Sequence, residues 1–395
     1  MKKSIYYFRN DLRVEDNIGF INCYNDSEYI IPIYIFQNNI HKDYILNILH
    51  RFNFNIHIFF GNPINIICNL IEIDDTIDSI YFNCEYDIIS LYEDNLLIQS
   101  IKKKNNNIII KVLEDKLLSN IKSILNNNKP YTNYKKFYNK IKNYNINKPT
   151  IIELNNNKFI KLNNKHINFI NTDNNNIETN NKLLNRNSII DLLNKINNKS
   201  CLSSSKLSIL LKYGIISIRE LFYSLVTIIH NNKINNFYII NELYRREFYY
   251  YISYYDVNYI KKYNDIDINN DKYNLWINGN TGIPIIDAGM NQLNKINVID
   301  NKMKIILGSY LINELKLDWK YGDYYFSQNL LDYDIILNQS LFKYMNNFNI
   351  NPNFKPLNYK NQSKKYDSNC KYIKKYLPNL KNKNNIDIHN MNLNT

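Results

Sequence analysis

Short apolar runs alternate with longer mixed segments along the first third of the chain. Ser4–Phe8 (SIYYF), Tyr29–Phe36 (YIIPIYIF), Asn55–Phe60 (NIHIFF), Ser79–Phe82 (SIYF) and Ile108–Val112 (IIIKV) are β-branched or aromatic runs of strand length. More polar segments with helical character, such as Tyr44–Phe52, lie between them. Strands that alternate with helices predict a parallel sheet covered on both faces, a Rossmann-like α/β domain over residues 1–130. The polar stretch that follows has weak periodicity and carries the runs Asn155–Asn157 and Asn174–Asn176, which predicts a long interdomain linker over 131–195. Beyond it the pattern turns helical. Between Asn301 and Trp319, the residues Met303, Ile306, Leu307, Tyr310, Leu311, Leu315 and Trp319 form one apolar stripe. The expectation is one helix there, inside an all-α domain over 196–395.

Composition changes this picture in one respect. The 395 residues carry 49 Lys+Arg against 36 Asp+Glu, a net charge of +13. Seven of the basic residues are Arg, and alanine occurs once, at Ala288. Asn, Ile, Lys and Tyr dominate instead, as expected of an AT-rich genome. The charge is therefore weak evidence for a nucleic-acid partner. The rare residues are the more informative ones: seven Arg, two Trp, eight Gly and one Ala. No apolar run reaches the length of a membrane span. Five scattered Cys without a CxxC pair suit reduced thiols, and together with the interrupted apolar run at the N-terminus they lead us to expect a cytoplasmic protein. No close Cys/His cluster has zinc-ligand spacing, so no metal is expected.

Several motifs occur in one order. Tyr7–Arg13 (YFRNDLR) is followed by Asp16-Asn17, then Ser204–Ser208 (SSKLS) with Gly214, Ser217 and Arg219. Asn241–Tyr249 (NELYRREFY), Trp276–Leu293 (WINGNTGIPIIDAGMNQL), Asp318-Trp319 with Gly322, and Asp332-Tyr333-Asp334 with Asn338 come next. This series resembles the DNA photolyase/cryptochrome family, most closely its class I cyclobutane pyrimidine dimer photolyases. It covers nearly the whole chain and is weakest over residues 60–190.

The resemblance implies an FAD-binding helical domain, active with reduced FAD. Ser204, Ser205, Lys206, Leu207 and Ser208 would meet the FAD phosphates. Hydroxyls at a helix start are also ordinary caps. Lys304, Asp332, Tyr333, Asp334 and Asn338 would surround the flavin, with Asn338 near N5. Asp332 would pair with Lys304, at a position where the family usually has Arg; lysine keeps the charge but loses the bidentate fork. A dimer inside a duplex must be flipped out before chemistry. Glu242 would hydrogen-bond it and stabilise its anionic form. Arg245, Arg246, Tyr249, Asn301, Lys302, Tyr344 and Gln362 would face the lesion or the DNA. Arg245 and Tyr344 stand where the family places Trp. Both can still stack on a base.

The two tryptophans also read as core residues. By resemblance, Trp319 is the middle member of a three-Trp chain that photoreduces oxidised flavin. Its neighbours fall at Phe342 and Ile266, so the chain is expected to be broken. Asn83 and Cys84 resemble an antenna-binding strand end and point to a methenyltetrahydrofolate-type chromophore. The function implied is light-driven repair of cyclobutane pyrimidine dimers in damaged DNA by a monomer without membrane attachment. A cryptochrome-like light sensor and a degenerate flavoprotein without repair activity are the alternatives.

Overall fold

A computed structural model describes residues 2–162, 204–232, 238–263, 266–346 and 358–391. Contacts divide the chain into two compact units, one of residues 1–201 with 210–259 and one of residues 202–209 with 260–395.

The first unit is built on five parallel strands, β1 (Lys3–Phe8), β2 (Tyr29–Phe36), β3 (His57–Phe60), β4 (Ile77–Asn83) and β5 (Ile109–Leu113), in the order β3-β2-β1-β4-β5. Helices α1 (Ile18–Asp26), α2 (Lys42–Leu49), α3 (Pro63–Ile73) and α4 (Ile88–Lys104) alternate with them. This is a doubly wound sheet whose strand order reverses between β1 and β4. β1 and β4 are buried along almost their whole length because both faces are covered, and their apolar stretches are Ile5–Phe8 and Ile80–Phe82. Pro32 sits inside β2, one residue before β3 pairing begins at Ile33. All five sequence-predicted strands form, with ends displaced by at most two residues.

The expected linker opens with a helix, α5 (Tyr134–Ile141), capped by Asn133. Phe137 and Ile141 of this helix are fully buried. Residues 163–195 of that segment lie outside the described residues.

Part of the helical sequence packs on the sheet within the first unit. After α6 (Ser204–Lys212) the chain turns at Gly214, whose carbonyl oxygen accepts from Arg13 Nη1 at 3.2 Å. Gly214 has φ +63°, and a Cβ there would lie 2.5 Å from Asp11 Cα. Both demands require glycine. Arg219, on α7 (Ile218–Asn232), reaches Asp16 and Asp115 at 2.9 Å, and Arg13 also pairs with Asp115. All four side chains are at most 5% exposed. Two guanidinium groups and two carboxylates thus neutralise one another. The last helix of this unit is α8 (Tyr238–Tyr255).

The second unit is helical, with α9 (Asp271–Ile277), α10 (Pro284–Ile296), α11 (Asn301–Asn313), α12 (Trp319–Asn329), α13 (Ile335–Asn346), α14 (Tyr359–Tyr366), α15 (Lys371–Tyr376) and α16 (Asn385–Asn390) around one apolar core. Trp276, Ala288, Met303, Leu307 and Phe342 are wholly buried there. Glycines allow the close approaches: a Cβ on Gly308 would meet Met345 Cε at 2.6 Å, and one on Gly322 would meet Phe342 Cζ at 2.8 Å. The single helix expected over 301–319 is a correction. It is two helices, because Lys316 takes a left-handed conformation (φ +59°) and Asp318 caps a new helix through Lys320 N. The apolar stripe continues across the break, since Leu315, Leu317 and Trp319 still pack on the core.

Candidate functional site

In the helical unit, two helix starts bring a buried polar cluster together. Asp300 caps α11 through Met303 N, which sets Lys304 one turn in. Asp334 caps α13, accepting from Ile336 N and Leu337 N at 3.1 Å. Lys304 Nζ donates to both oxygens of Asp332, at 2.9 and 3.1 Å. Ser208 Oγ donates to Asp332 as well. Lys304 is 3% and Asp332 6% exposed. Asn338, also buried, donates from Nδ2 to the Asp334 carbonyl oxygen at 3.0 Å. Its Oδ1 accepts no hydrogen bond among the described residues. Leu207 is buried one residue before Ser208. Ser204, Ser205 and Lys206 stand in the first turn of α6, and their side chains lie outside the described residues.

Sequence reasoning missed a neighbouring group. Asp323 is fully buried, and its Oδ2 accepts from Tyr263 at 2.7 Å and Tyr333 at 3.2 Å. The two tyrosine hydroxyls meet at 2.5 Å. Burial raises the Asp323 carboxyl to about 6, more than these hydrogen bonds lower it. Asp323 lies five residues after Asp318 on α12, but no spacing marks Tyr263 as its partner.

Trp319 and Phe342 are neighbours, with ring centroids 6.1 Å apart. Phe342 is wholly buried, whereas Tyr344, two residues on, is half exposed. Asn301 and Lys302 are exposed at the start of α11, and Gln362 is partly buried on α14.

In the first unit, α8 carries the second group of expected residues. Glu247 fixes one face of this helix, accepting from Leu118 N, Ser119 N and Ser119 Oγ at 2.8–3.0 Å. Arg246 lies on that inward side. It is 9% exposed, donates to the Lys116 carbonyl oxygen at 3.0 Å and lies over the Tyr250 ring. Arg246 was expected to face DNA; here its guanidinium binds the fold, on the side of the helix that Glu247 holds. Glu242, Arg245 and Tyr249, at i, i+3 and i+7, share the other face. The Glu242 and Arg245 side chains are 45% and 52% exposed, with Arg245 Nε 3.4 Å from Glu242 Oε1. Partial burial pushes the Glu242 carboxyl up, and Arg245 pulls it down by less.

Asn83 does not present a free amide at the strand end. Nδ2 donates to Tyr6 Oη, Asp11 Oδ2 and Asn17 Oδ1 at 2.6–3.0 Å, and Oδ1 accepts from Gly19 N at 3.0 Å. Asn83 was expected at an antenna site; here its amide ties β4 to the start of α1. Cys84 is partly buried, and burial pushes its thiol up to about 12. Beside them, Arg9 occupies the crevice between β1 and β4, paired with Asp94 at 2.7 Å and stacked on Phe82.

The donor set of the helical cluster suits a flavin cofactor. A lysine and a serine hold a carboxylate dry, and one turn further a buried carboxamide presents an unused acceptor oxygen, the group that a ring N–H requires. Residues 238–395 match the family described as the FAD binding domain of DNA photolyase, and residues 4–151 match the one described as DNA photolyase. A deoxyribodipyrimidine photo-lyase of Buchnera aphidicola subsp. Baizongia pistaciae is 30% identical, over 99% of this chain and 91% of its own. One from Buchnera aphidicola subsp. Acyrthosiphon pisum is 28% identical, over 98% and 90%. Among solved structures, an archaeal photolyase from Sulfolobus tokodaii with two FAD molecules has a TM-score of 0.78 at 25% identity, covering 98% of this chain and 93% of that one. The fold and the matched domains define a flavoprotein with an α/β domain and a helical FAD-binding domain. The chain belongs to the DNA photolyase/cryptochrome family. No helix among the described residues is long and apolar enough to cross a membrane.

Proposed function

We propose that this chain is a light-driven lyase that splits cyclobutane pyrimidine dimers in DNA. The observation that carries this reading is Glu242. It is a half-exposed carboxylate with a raised pKa on α8, held among the described residues by one long ion pair to the equally exposed Arg245, in a helix whose other two charged groups, Arg246 and Glu247, are buried in the fold. Such a group is free to accept a hydrogen bond from an incoming base.

FAD, bound and reduced, supplies the electron that light drives into the dimer. The residues of the chain hold and orient. Lys304 neutralises Asp332, and Ser208 fixes the same carboxylate. Asn338 Oδ1 would be the acceptor for a flavin ring N–H, and the bond of its Nδ2 to the Asp334 carbonyl oxygen holds the carboxamide in that orientation. Glu242 accepts from the flipped pyrimidine and opposes loss of its imide proton. Exposed lysines such as Lys302 bind phosphates without regard to sequence, so DNA affinity falls with salt. The test is illumination with blue light of the reduced, FAD-loaded protein on an oligonucleotide with one thymine dimer. Glu242→Ala is expected to lower repair per photon while leaving the bound-flavin spectrum unchanged. An unchanged repair yield in that variant removes Glu242 from the mechanism.

A further inference from the structure

Arg245 has two partners among the described residues. One is Glu242, 3.4 Å away. The other is Tyr134 of α5, whose ring centroid lies 5.0 Å from the guanidinium carbon. Tyr134 comes from the segment expected to be a linker, and no motif marks it. Its ring is fixed from several sides. The hydroxyl donates to the Asn241 carbonyl oxygen at 3.2 Å, Phe248 meets the ring edge-on at 5.5 Å, and Tyr138 lies 6.0 Å away. The next turn of the same helix docks on α8 through Phe137 against Phe248 and Tyr251, and through Tyr138 against Tyr244. Lys135, Lys136 and Lys140 are exposed on the same short helix.

We propose that Tyr134 is a positioning residue of the lesion pocket: it holds the Arg245 guanidinium flat, so that the exposed half of that side chain stacks on a flipped pyrimidine. The proposal rests on the reading of α8 as the lesion-binding helix. A planar cation backed by an aromatic ring is a rigid platform, and stacking of this kind accepts any pyrimidine face. The ion pair to Glu242 is long and solvent-exposed, so opening it costs little. Its opening frees the carboxylate to accept from the base while the cation remains above the ring. The lysines of α5 stand ready for the phosphates on either side.

The test compares the affinity of the full-length, FAD-loaded protein for two oligonucleotides, identical except for one thymine dimer, at fixed salt in the dark. Tyr134→Leu is expected to weaken dimer binding about five- to hundredfold and to leave undamaged DNA binding and its salt slope unchanged. Tyr134→Phe, which keeps the ring, restores discrimination. Arg245→Lys, which keeps the charge but has no plane, behaves as Tyr134→Leu does and leaves α5 untouched, so it answers the question even if the leucine variant misfolds. Discrimination retained in Tyr134→Leu or in Arg245→Lys, or not restored in Tyr134→Phe, overturns the proposal while the lesion-pocket reading stands. If the unaltered protein does not distinguish the two oligonucleotides, both fall together.

Discussion

Replacing Lys304 by Met removes the charge that neutralises Asp332 and keeps the length of the side chain. Both residues are nearly inaccessible to water, at 3% and 6% exposure, and the ammonium contacts both carboxylate oxygens at 2.9 and 3.1 Å. After the replacement, the Ser208 hydroxyl is the donor that remains to a buried carboxylate. Breaking a buried pair from one side costs about 3–5 kcal/mol, because the remaining charge has neither water nor a partner. The same replacement combined with Asp332→Asn removes both charges and should recover much of the loss. Both tryptophans, Trp276 and Trp319, lie in the helical unit, so their fluorescence during urea unfolding of the apoprotein follows that unit. The single variant should shift the transition to lower urea by the equivalent of 3–5 kcal/mol and weaken FAD binding. A loss below about 1 kcal/mol, or a double variant no more stable than the single one, would refute the view that this pair holds the flavin clamp.

Other expected outcomes follow from single features. The Asp323 carboxyl is raised in the folded state from an ordinary value near 4 to about 6, so the native form holds its proton over that range and stability falls as pH rises through it. Asp323→Asn removes this penalty; it should gain up to about 3 kcal/mol at pH 8 and nothing near pH 4, and a gain independent of pH contradicts the assignment. The family resemblance implies that Phe342 interrupts an electron route through its neighbour Trp319, so bound oxidised FAD should photoreduce slowly with a mild donor; fast, efficient photoreduction of the unaltered protein would contradict this. Gly214→Ala combines a left-handed backbone with a clash against Asp11 and should cost about 2–5 kcal/mol, measured by unfolding of the sheet unit.

Much of the fold was legible because periodicity records burial. A strand covered on both faces shows an apolar stretch, Ile5–Phe8 in β1 and Ile80–Phe82 in β4, and all five strands could be placed from such stretches, although that of β5 is largely exposed. The break at Lys316 was not legible, since the apolar stripe continues through it and only the capping role of Asp318 marks the new helix. In the candidate site, residues joined through a motif came forward together. Lys304 and Asp332 were expected as partners and lie in direct contact. Side-chain direction was the hidden variable. Arg245 and Arg246 are adjacent in sequence, yet one reaches solvent and the other is spent on Lys116 and Tyr250. Asn83 ends a strand but turns inward. Tyr134 and Asp323 stayed invisible because their meaning comes from partners more than fifty residues away in sequence, Arg245 for one and Tyr263 for the other.

The central claim is that light, reduced FAD and this chain together split pyrimidine dimers. Its most direct measurement is the fraction of thymine-dimer oligonucleotide restored to intact thymines, in blue light and in the dark, by the reduced FAD-loaded protein. Restoration that grows with light dose and is absent in the dark is the predicted result. A dimer that is bound but remains intact after prolonged illumination would contradict the account.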